Sequence, residues 1–364
     1  MINVIYLVSR LKQSGPINQA FNIVAGMDKR KCNMIVVTLS PELPQTRMQM
    51  YKNAGIEVIQ LNRNVWDIAG CVRDLKHLIR ERNIDVVHSS GDRPDICNHF
   101  LRRRVVTVST LRSEIQNIAE RKGPIVSWFT QKVHAYNIQS VEKPIACSHF
   151  LAESIEKSTG RKIDVIHNCV NTDYYKPSKD KRLSKVELGL NPHIKVFLSL
   201  GSIIKRKNND ILLDYFSRNQ NVNELLVLAG DGEMLDYYKS KYNSANIKFV
   251  GRVNALPYIH AADFLVSSSL SEGLPNTVLE AIACGVPVIL SDIGPHREIL
   301  SEGEMGFLFD CSSLTSLATA IDKMRSVNYD LLSGNCKRIA QEKFSVTATA
   351  SKYYEVYRSI VNKK

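Results

Sequence analysis

No uninterrupted apolar run in the 364 residues approaches the roughly 18 that a membrane-spanning helix needs. The opening MINVIYLVSR is too short for a secretory leader and carries no basic segment ahead of an apolar one, so the expected location is the cytoplasm. Eight cysteines, Cys32, Cys71, Cys97, Cys147, Cys169, Cys284, Cys311 and Cys336, are scattered without a C-x-x-C pair or a metal-ligand spacing. That argues against a zinc module and a dithiol redox motif, and the thiols are expected to be reduced and mostly buried. No G-x-G-x-x-G follows the first apolar run, which disfavours a nicotinamide dehydrogenase. Short repeats, low-complexity tracts and nucleic-acid-binding modules are missing as well, so no nucleic-acid partner is expected.

What is present is an ordinary globular composition, 44% hydrophobic and 23% charged. Single cores seldom keep growing beyond about 250–300 residues, so this length implies two lobes. The net charge of +12 is uneven: residues 1–170 hold 24 Lys/Arg against 15 Asp/Glu, the remainder 24 against 21. The excess in the first half suits an anionic partner such as phospholipid headgroups or a lipid diphosphate, and equally a solubilising surface.

Short β-rich runs, several apolar throughout, alternate with longer stretches of helical periodicity. Continuous apolar runs of this kind mark parallel strands buried on both faces. In the first half they fall at 2–8, 32–40, 56–61, 84–90, 105–110 and 143–148. A polar stretch with a short helix follows DVIHNCVNTDYYKP (164–177), and a second series runs through 195–202, 224–232, 247–252, 262–269, 286–292 and 306–310. The last segment, 348–361, reads as an amphipathic helix. The expected fold class is α/β, two doubly wound lobes facing across a cleft, with ligands at the carboxyl ends of the strands.

The stretch SLSEGLPNTVLEAIACGVPVILSDIG (269–294) places one carboxylate, Glu272, before a helix and another, Glu280, about a turn inside it. Pro275, Asn276 and Thr277 are helix starters, and Gly285 with Pro287 ends the helix. The amino end offers free N–H groups and partial positive charge, which suits a diphosphate. Glu280 is placed to accept hydrogen bonds from a vicinal diol such as a ribose. By itself the pattern also fits a charged loop and a solvated helical Glu.

Set beside SGPINQAFNIV, VVHSSGDRPD, VIHNCVNTDYYKP, LGSIIKRKN, LVLAGDGEM and FVGRVNALPYIHAADFLVSSS, this run resembles the retaining glycosyltransferases of the GT-B superfamily, family four, whose signature is E-x7-E. The resemblance covers nearly the whole chain. It implies a GT-B fold with an acceptor-binding domain over 1–172, joined by a C-terminal helix at about 346–364, and a donor-binding domain over 173–345. It implies that Glu272 contacts the donor sugar and Glu280 the ribose, and that backbone N–H groups around Gly273, Leu274, Asn276 and Thr277 meet sugar and diphosphate. Lys207 matches the family's phosphate-binding Lys, and a cation there would neutralise charge growing on the leaving diphosphate. Gly15, in the first loop, would let backbone approach the diphosphate; it fits a plain turn glycine as well.

Three positions depart from the family pattern. Ser202 stands where an Arg is common, leaving Arg206 or Lys205 to reach the diphosphate. Arg112 stands where many members carry a His; an arginine cannot act as a base at neutral pH, so its role would be substrate positioning or charge stabilisation, unless it is a surface residue. Asn168-Cys169 replaces the usual Asn-Gly of the junction motif. His88 and Asp92 are acceptor-side candidates, although a His at a strand end is often structural. No Asp-x-Asp triplet occurs, Asp231 and Glu233 suit a turn better than a metal pair, and the resemblance implies catalysis without a cofactor or metal.

The activity implied is transfer of a sugar from a nucleotide-diphosphate donor, a UDP-sugar first, to an acceptor hydroxyl with retention. Trp128, Phe129 and Val133 interleave with Arg121, Lys122 and Lys132, which fits a surface helix against an anionic bilayer and fits packing inside the lobe. The first alternative implies a lipid-linked glycan acceptor in lipopolysaccharide, O-antigen or capsule synthesis, with peripheral contact at the inner membrane face. Two further readings stay open: a UDP-sugar epimerase on the same architecture, and a degenerate nucleotide-sugar binder.

Overall fold

The computed structural model describes residues 1–112, 124–219 and 221–362, over 124–130 in backbone only. The chain divides into two compact units, Met1–Cys169 with Val346–Lys364 and Val170–Ser345. Their boundary lies three residues before the expected one.

The first unit is a parallel sheet of β1 (Ile2–Val8), β2 (Cys32–Thr38), β3 (Val58–Gln60), β4 (Val86–Ser89), β5 (Val106–Leu111), β6 (Lys143–Ala146) and β7 (Asp164–Val165). Its order is β3-β2-β1-β4-β5-β6-β7. Crossovers carry α1 (Gly15–Ala25), α2 (Met48–Asn53), α3 (Ile68–Glu81), α4 (Asp92–His99), α5 (Pro124–Ser140) and α6 (His149–Thr159). Successive strand residues point to opposite faces. Val4, Tyr6 and Val8 therefore pack with Ile17, Ala20 and Val24 of α1 and with Tyr353 and Tyr357 of the C-terminal helix (Val346–Val361). Ile5 and Leu7 pack instead with Cys71, Leu75 and Leu78 of α3. Both faces are covered, which is why β5 is buried along its whole length.

The second unit orders β8 (Lys195–Leu200), β9 (Glu224–Ala229), β10 (Ile247–Gly251), β11 (Phe264–Ser267), β12 (Val288–Ser291) and β13 (Gly306–Phe309) as β10-β9-β8-β11-β12-β13, again all parallel. Its helices are α7 (Lys181–Glu187), α8 (Asn209–Arg218), α9 (Leu235–Lys241), α10 (Ala255–Ala261), α11 (Asn276–Ala283), α12 (Gly294–Leu300), α13 (Leu314–Ser326) and α14 (Tyr329–Lys343). Phe197, Leu226, Val266 and Ile289 form one face of its core with Leu213 and Phe216 of α8 and Ile321 of α13. Each fully buried apolar side chain of this size contributes about 1.5–3 kcal/mol. Helix starts are set locally: Ser313 accepts from the Ser316 N–H at 3.1 Å and Asn328 from that of Leu331 at 3.2 Å.

Both sheets reverse direction beside their first strand, between β1 and β4 and between β8 and β11, and such switch points open crevices at the strands' carboxyl ends. On the other side of β8, toward β9, the backbone is unusually close. Gly201 has φ +140°, and a Cβ on Gly230 would stand 1.7 Å from the Gly201 carbonyl oxygen. Only glycine fits there, and the loop after β8 is thereby pressed across the end of β9. The doubly wound α/β class is as expected. Beyond the anticipated strands there is β7, two residues long, inside the stretch read as the junction. All eight cysteines are thiols, and all but Cys311 are buried.

Candidate functional site

The second unit assembles most of the residues singled out in the sequence. Because β8 and β11 are hydrogen-bonded neighbours, the loops after them emerge together. The loop after β8 makes a single 3-10 turn, Lys205–Lys207, and leaves it through Asn208 at φ +49°. Ser268 fixes this turn by donating to the carbonyl oxygens of Lys207 at 3.0 Å and Asn208 at 2.9 Å, while the Leu270 N–H donates to the Arg206 carbonyl at 2.9 Å.

The result is a salt-bridged cluster. Lys207 Nζ lies 2.5 Å from Glu272 Oε1, Ser269 Oγ donates to the same oxygen at 2.8 Å, and Arg206 Nη1 lies 3.3 Å from Oε2. Arg206 also donates to the Ser271 carbonyl. Burial alone would raise the Glu272 pKa, but Lys207, Arg206 and the hydrogen bonds from Lys207 and Ser269 outweigh it and hold the acid down to about 2. Its side chain is only 11% exposed and that of Lys207 17%. The adjoining pocket is lined by Gly201, Ser202, Ile203, Lys207, Ser269 and Thr277. Ser202 is exposed at its rim, Leu274 is buried, and Gly273 and Asn276 are half-buried.

Glu280 occupies the second turn of α11 and is in a different state. Burial pushes its pKa up to about 7, and the hydrogen bond from Tyr175 offsets only part of that. Burial likewise keeps the Tyr175 phenol protonated. Two carboxylates eight residues apart thus differ by several pH units: one meets two cations, the other a phenol.

In the first unit the candidates are not gathered in the same way. Gly15 opens α1 after Ser14 in extended conformation. Asp92 is exposed in the first turn of α4. His88 lies within β4, not after it. It is fully buried, with Nδ1 2.6 Å from Tyr357 Oη and Nε2 2.6 Å from Thr110 Oγ1, and burial, with the Arg112 charge, holds its pKa well below the usual value. Both ring nitrogens are therefore engaged internally. Arg112, just past β5, donates through Nη1 to Asn168 Oδ1, whereas its Nε and Nη2 are buried and make no hydrogen bond among the described residues. Arg121, Lys122 and the side chains of Trp128 and Phe129 lie outside the described residues; Lys132 is exposed and Val133 half-buried. No helix of the described residues is long and apolar enough to cross a membrane.

Three residues of this neighbourhood were not anticipated. Ser269 and Tyr175 stand in the quoted motifs, but nothing in the spacing says which acid each would meet. His296, on α12, is completely buried; its Nδ1 is 2.8 Å from the Ser291 carbonyl oxygen, so that nitrogen carries the proton. Burial, only partly offset by Ser291 and Glu272, holds its pKa down to about 4, and Nε2 has no hydrogen-bond partner among the described residues.

Two family models cover most of the chain: "Glycosyltransferase Family 4" matches residues 14–174 and "Glycosyl transferases group 1" residues 180–342. In Escherichia coli, a UDP-Gal:alpha-D-GlcNAc-diphosphoundecaprenol alpha-1,3-galactosyltransferase is 24% identical over 321 residues, 80% of this chain and 81% of that protein. The O-antigen biosynthesis glycosyltransferase WclY, also of Escherichia coli, is 22% identical, with 91% of this chain and 96% of the relative covered. Among solved structures, Anabaena HepE in complex with UDP and glucose superposes with a TM-score of 0.83 at 18% identity, covering 99% of this chain and 100% of that one. The protein is a glycosyltransferase of GT-B fold. It belongs to the family-4 type, as the E-x7-E run implied.

Proposed function

We propose that the enzyme transfers a sugar, with retention of configuration, from a UDP-sugar to a hydroxyl of a lipid-linked glycan in bacterial surface-polysaccharide synthesis. The observation that carries this reading is the pairing of Lys207 and Arg206 with Glu272 beside the start of α11, one turn from Glu280. In this reading Lys207 and Arg206 take the diphosphate charge in place of a metal and in place of the arginine that Ser202 lacks. Backbone N–H groups of Gly273, Leu274, Asn276 and Thr277 face the sugar and diphosphate, Glu272 accepts from sugar hydroxyls, and Glu280 accepts from the ribose. Gly15 lets backbone approach the diphosphate, and Arg112 positions a polar or anionic substrate group. The bond from the anomeric carbon to the phosphate oxygen breaks with its electron pair going to UDP. The acceptor oxygen bonds to the same face, and its proton passes to the departing phosphate. The galactosyltransferase relative, named for a diphosphoundecaprenol acceptor, and the HepE complex with UDP support the donor and acceptor classes.

The test is release of UDP from candidate UDP-sugars with the acceptor, a polyprenyl diphosphate sugar, supplied in detergent or in anionic vesicles. UDP release that requires acceptor is the expected result, and it is faster on vesicles because the basic first half meets anionic headgroups. An isomerised donor sugar without UDP release would instead indicate an epimerase. Equal rates in detergent and vesicles at low salt would remove the membrane contact.

Glu280 gives this reading a pH dependence. Tyr175 and Cys284 are the titratable groups that face it, and burial keeps both protonated in this range. An ionised Glu280 is the better acceptor for two ribose hydroxyls, so affinity for a UDP-sugar rises with pH through about 7. If only the ionised form binds, the dissociation constant at pH 6 is about tenfold weaker than at pH 8. Calorimetric titration with an intact UDP-sugar checks this, and Glu280→Gln is expected to be weaker throughout and flat across the same range.

A further inference from the structure

The cations of the site are neutralised from within. Both oxygens of the Glu272 carboxylate are taken, Oε1 by Lys207 at 2.5 Å and Ser269 at 2.8 Å, Oε2 by Arg206 at 3.3 Å. These are the two cations that the preceding reading assigns to the donor's diphosphate, and the inference rests on that reading. A diphosphate arriving here competes with a carboxylate that is in place, largely shielded from water and held by two hydrogen bonds and a second cation. If the phosphates take the cations, the displaced carboxylate is left beside new negative charge in a partly buried pocket. That arrangement is costly unless the carboxylate finds other hydrogen-bond donors. A sugar on the diphosphate brings hydroxyls that can serve; the hydroxyls of free UDP are those of its ribose, which the same reading assigns to Glu280.

We infer that Glu272 is an internal stand-in for the diphosphate, which yields Lys207 and Arg206 only to a ligand carrying both diphosphate and sugar, so that the site discriminates the donor from its spent nucleotide. Before transfer, the donor's hydroxyls accommodate Glu272 while its phosphates occupy the cations. After transfer the sugar has gone to the acceptor, Glu272 loses those donors, and its return to Lys207 displaces UDP. One side chain thus serves donor recognition and product release. Ser269 assists the return because it donates to the same oxygen as Lys207 and keeps the carboxylate over the cation.

The experiment is calorimetric titration of UDP and of an intact UDP-sugar into the wild-type chain, Glu272→Gln, Ser269→Ala and Lys207→Met. An amide in place of the carboxylate cannot neutralise Lys207, so Glu272→Gln is expected to bind UDP about tenfold more tightly than the wild type. Its preference for UDP-sugar over UDP shrinks or inverts. Ser269→Ala moves UDP affinity in the same direction by a few-fold, and Lys207→Met weakens both ligands. Binding in Glu272→Gln also reports that the variant is folded. If Lys207→Met weakens UDP while Glu272→Gln binds UDP no better than the wild type, the stand-in is wrong and the assignment of the diphosphate survives. If UDP binds the wild type with no dependence on Lys207, or neither ligand binds it, the assignment fails and takes this inference with it.

Discussion

Lys207→Met is expected to lower kcat by about two to three orders of magnitude, the usual loss when a pre-organised donor to developing negative charge is removed. The side chain is pre-organised on three counts. The Ser268 hydroxyl anchors its carbonyl, Asn208 turns the chain away at φ +49°, and Nζ is held 2.5 Å from Glu272 Oε1. Little reorganisation remains to be done as the anomeric bond breaks. Methionine keeps the length of the stem and deletes the charge. It also strips Glu272 of its nearest cation, so the acid's pKa rises from about 2 as burial regains weight against Arg206 and the Ser269 hydrogen bond. Steady-state kinetics with saturating acceptor check the prediction. Lys207→Arg, which keeps a charge but not its shape, is expected to recover part of the rate. A kcat within threefold of wild type in Lys207→Met would show that the diphosphate is stabilised elsewhere.

The sheets were readable because parallel strands covered on both faces are rich in apolar and β-branched residues: VTVSTL and ELLVLA are buried at every position. β7 was not, since two residues, Asp164–Val165, carry no periodicity. The start of α11 was legible from Pro275, Asn276 and Thr277, and the E-x7-E spacing singled out both acids. Their opposite states were not legible, because each is set by a residue distant in sequence. Lys207 and Glu272 are 65 positions apart and meet only because β8 and β11 are neighbours. Tyr175, which holds Glu280, lies just beyond the junction of the two units. His88 illustrates the converse. Its strand was read correctly, but the face it points to is covered by a helix whose Tyr357 is 269 positions away, and no local pattern announces that.

Arg112→Met is expected to raise stability and lower activity together. Among the described residues Arg112 spends one nitrogen on Asn168, keeps Nε and Nη2 buried without a hydrogen bond, and forms no ion pair with a carboxylate. Its neighbour Tyr353 brings no countercharge at neutral pH, because burial keeps that phenol protonated. A guanidinium out of water without an anion is unfavourable, and replacing buried charge by apolar volume is often stabilising. Methionine, of similar reach, is therefore expected to stabilise the fold by about 1–2 kcal/mol, a few degrees in Tm. The two open nitrogens are the reason to expect an opposite effect on catalysis. A charge-assisted hydrogen bond to substrate contributes about 1.5–3 kcal/mol, so kcat/KM should fall roughly 10- to 100-fold. Arg112→Lys, with one compact charge instead of a planar fork, should restore little. Thermal unfolding and kinetics on the same preparations separate the possibilities. A destabilised Arg112→Met with wild-type kcat/KM would make Arg112 a packing residue that ties β5 to Asn168. A stabilised but slow one would mean that the first unit keeps an unpaired cation for the substrate to meet.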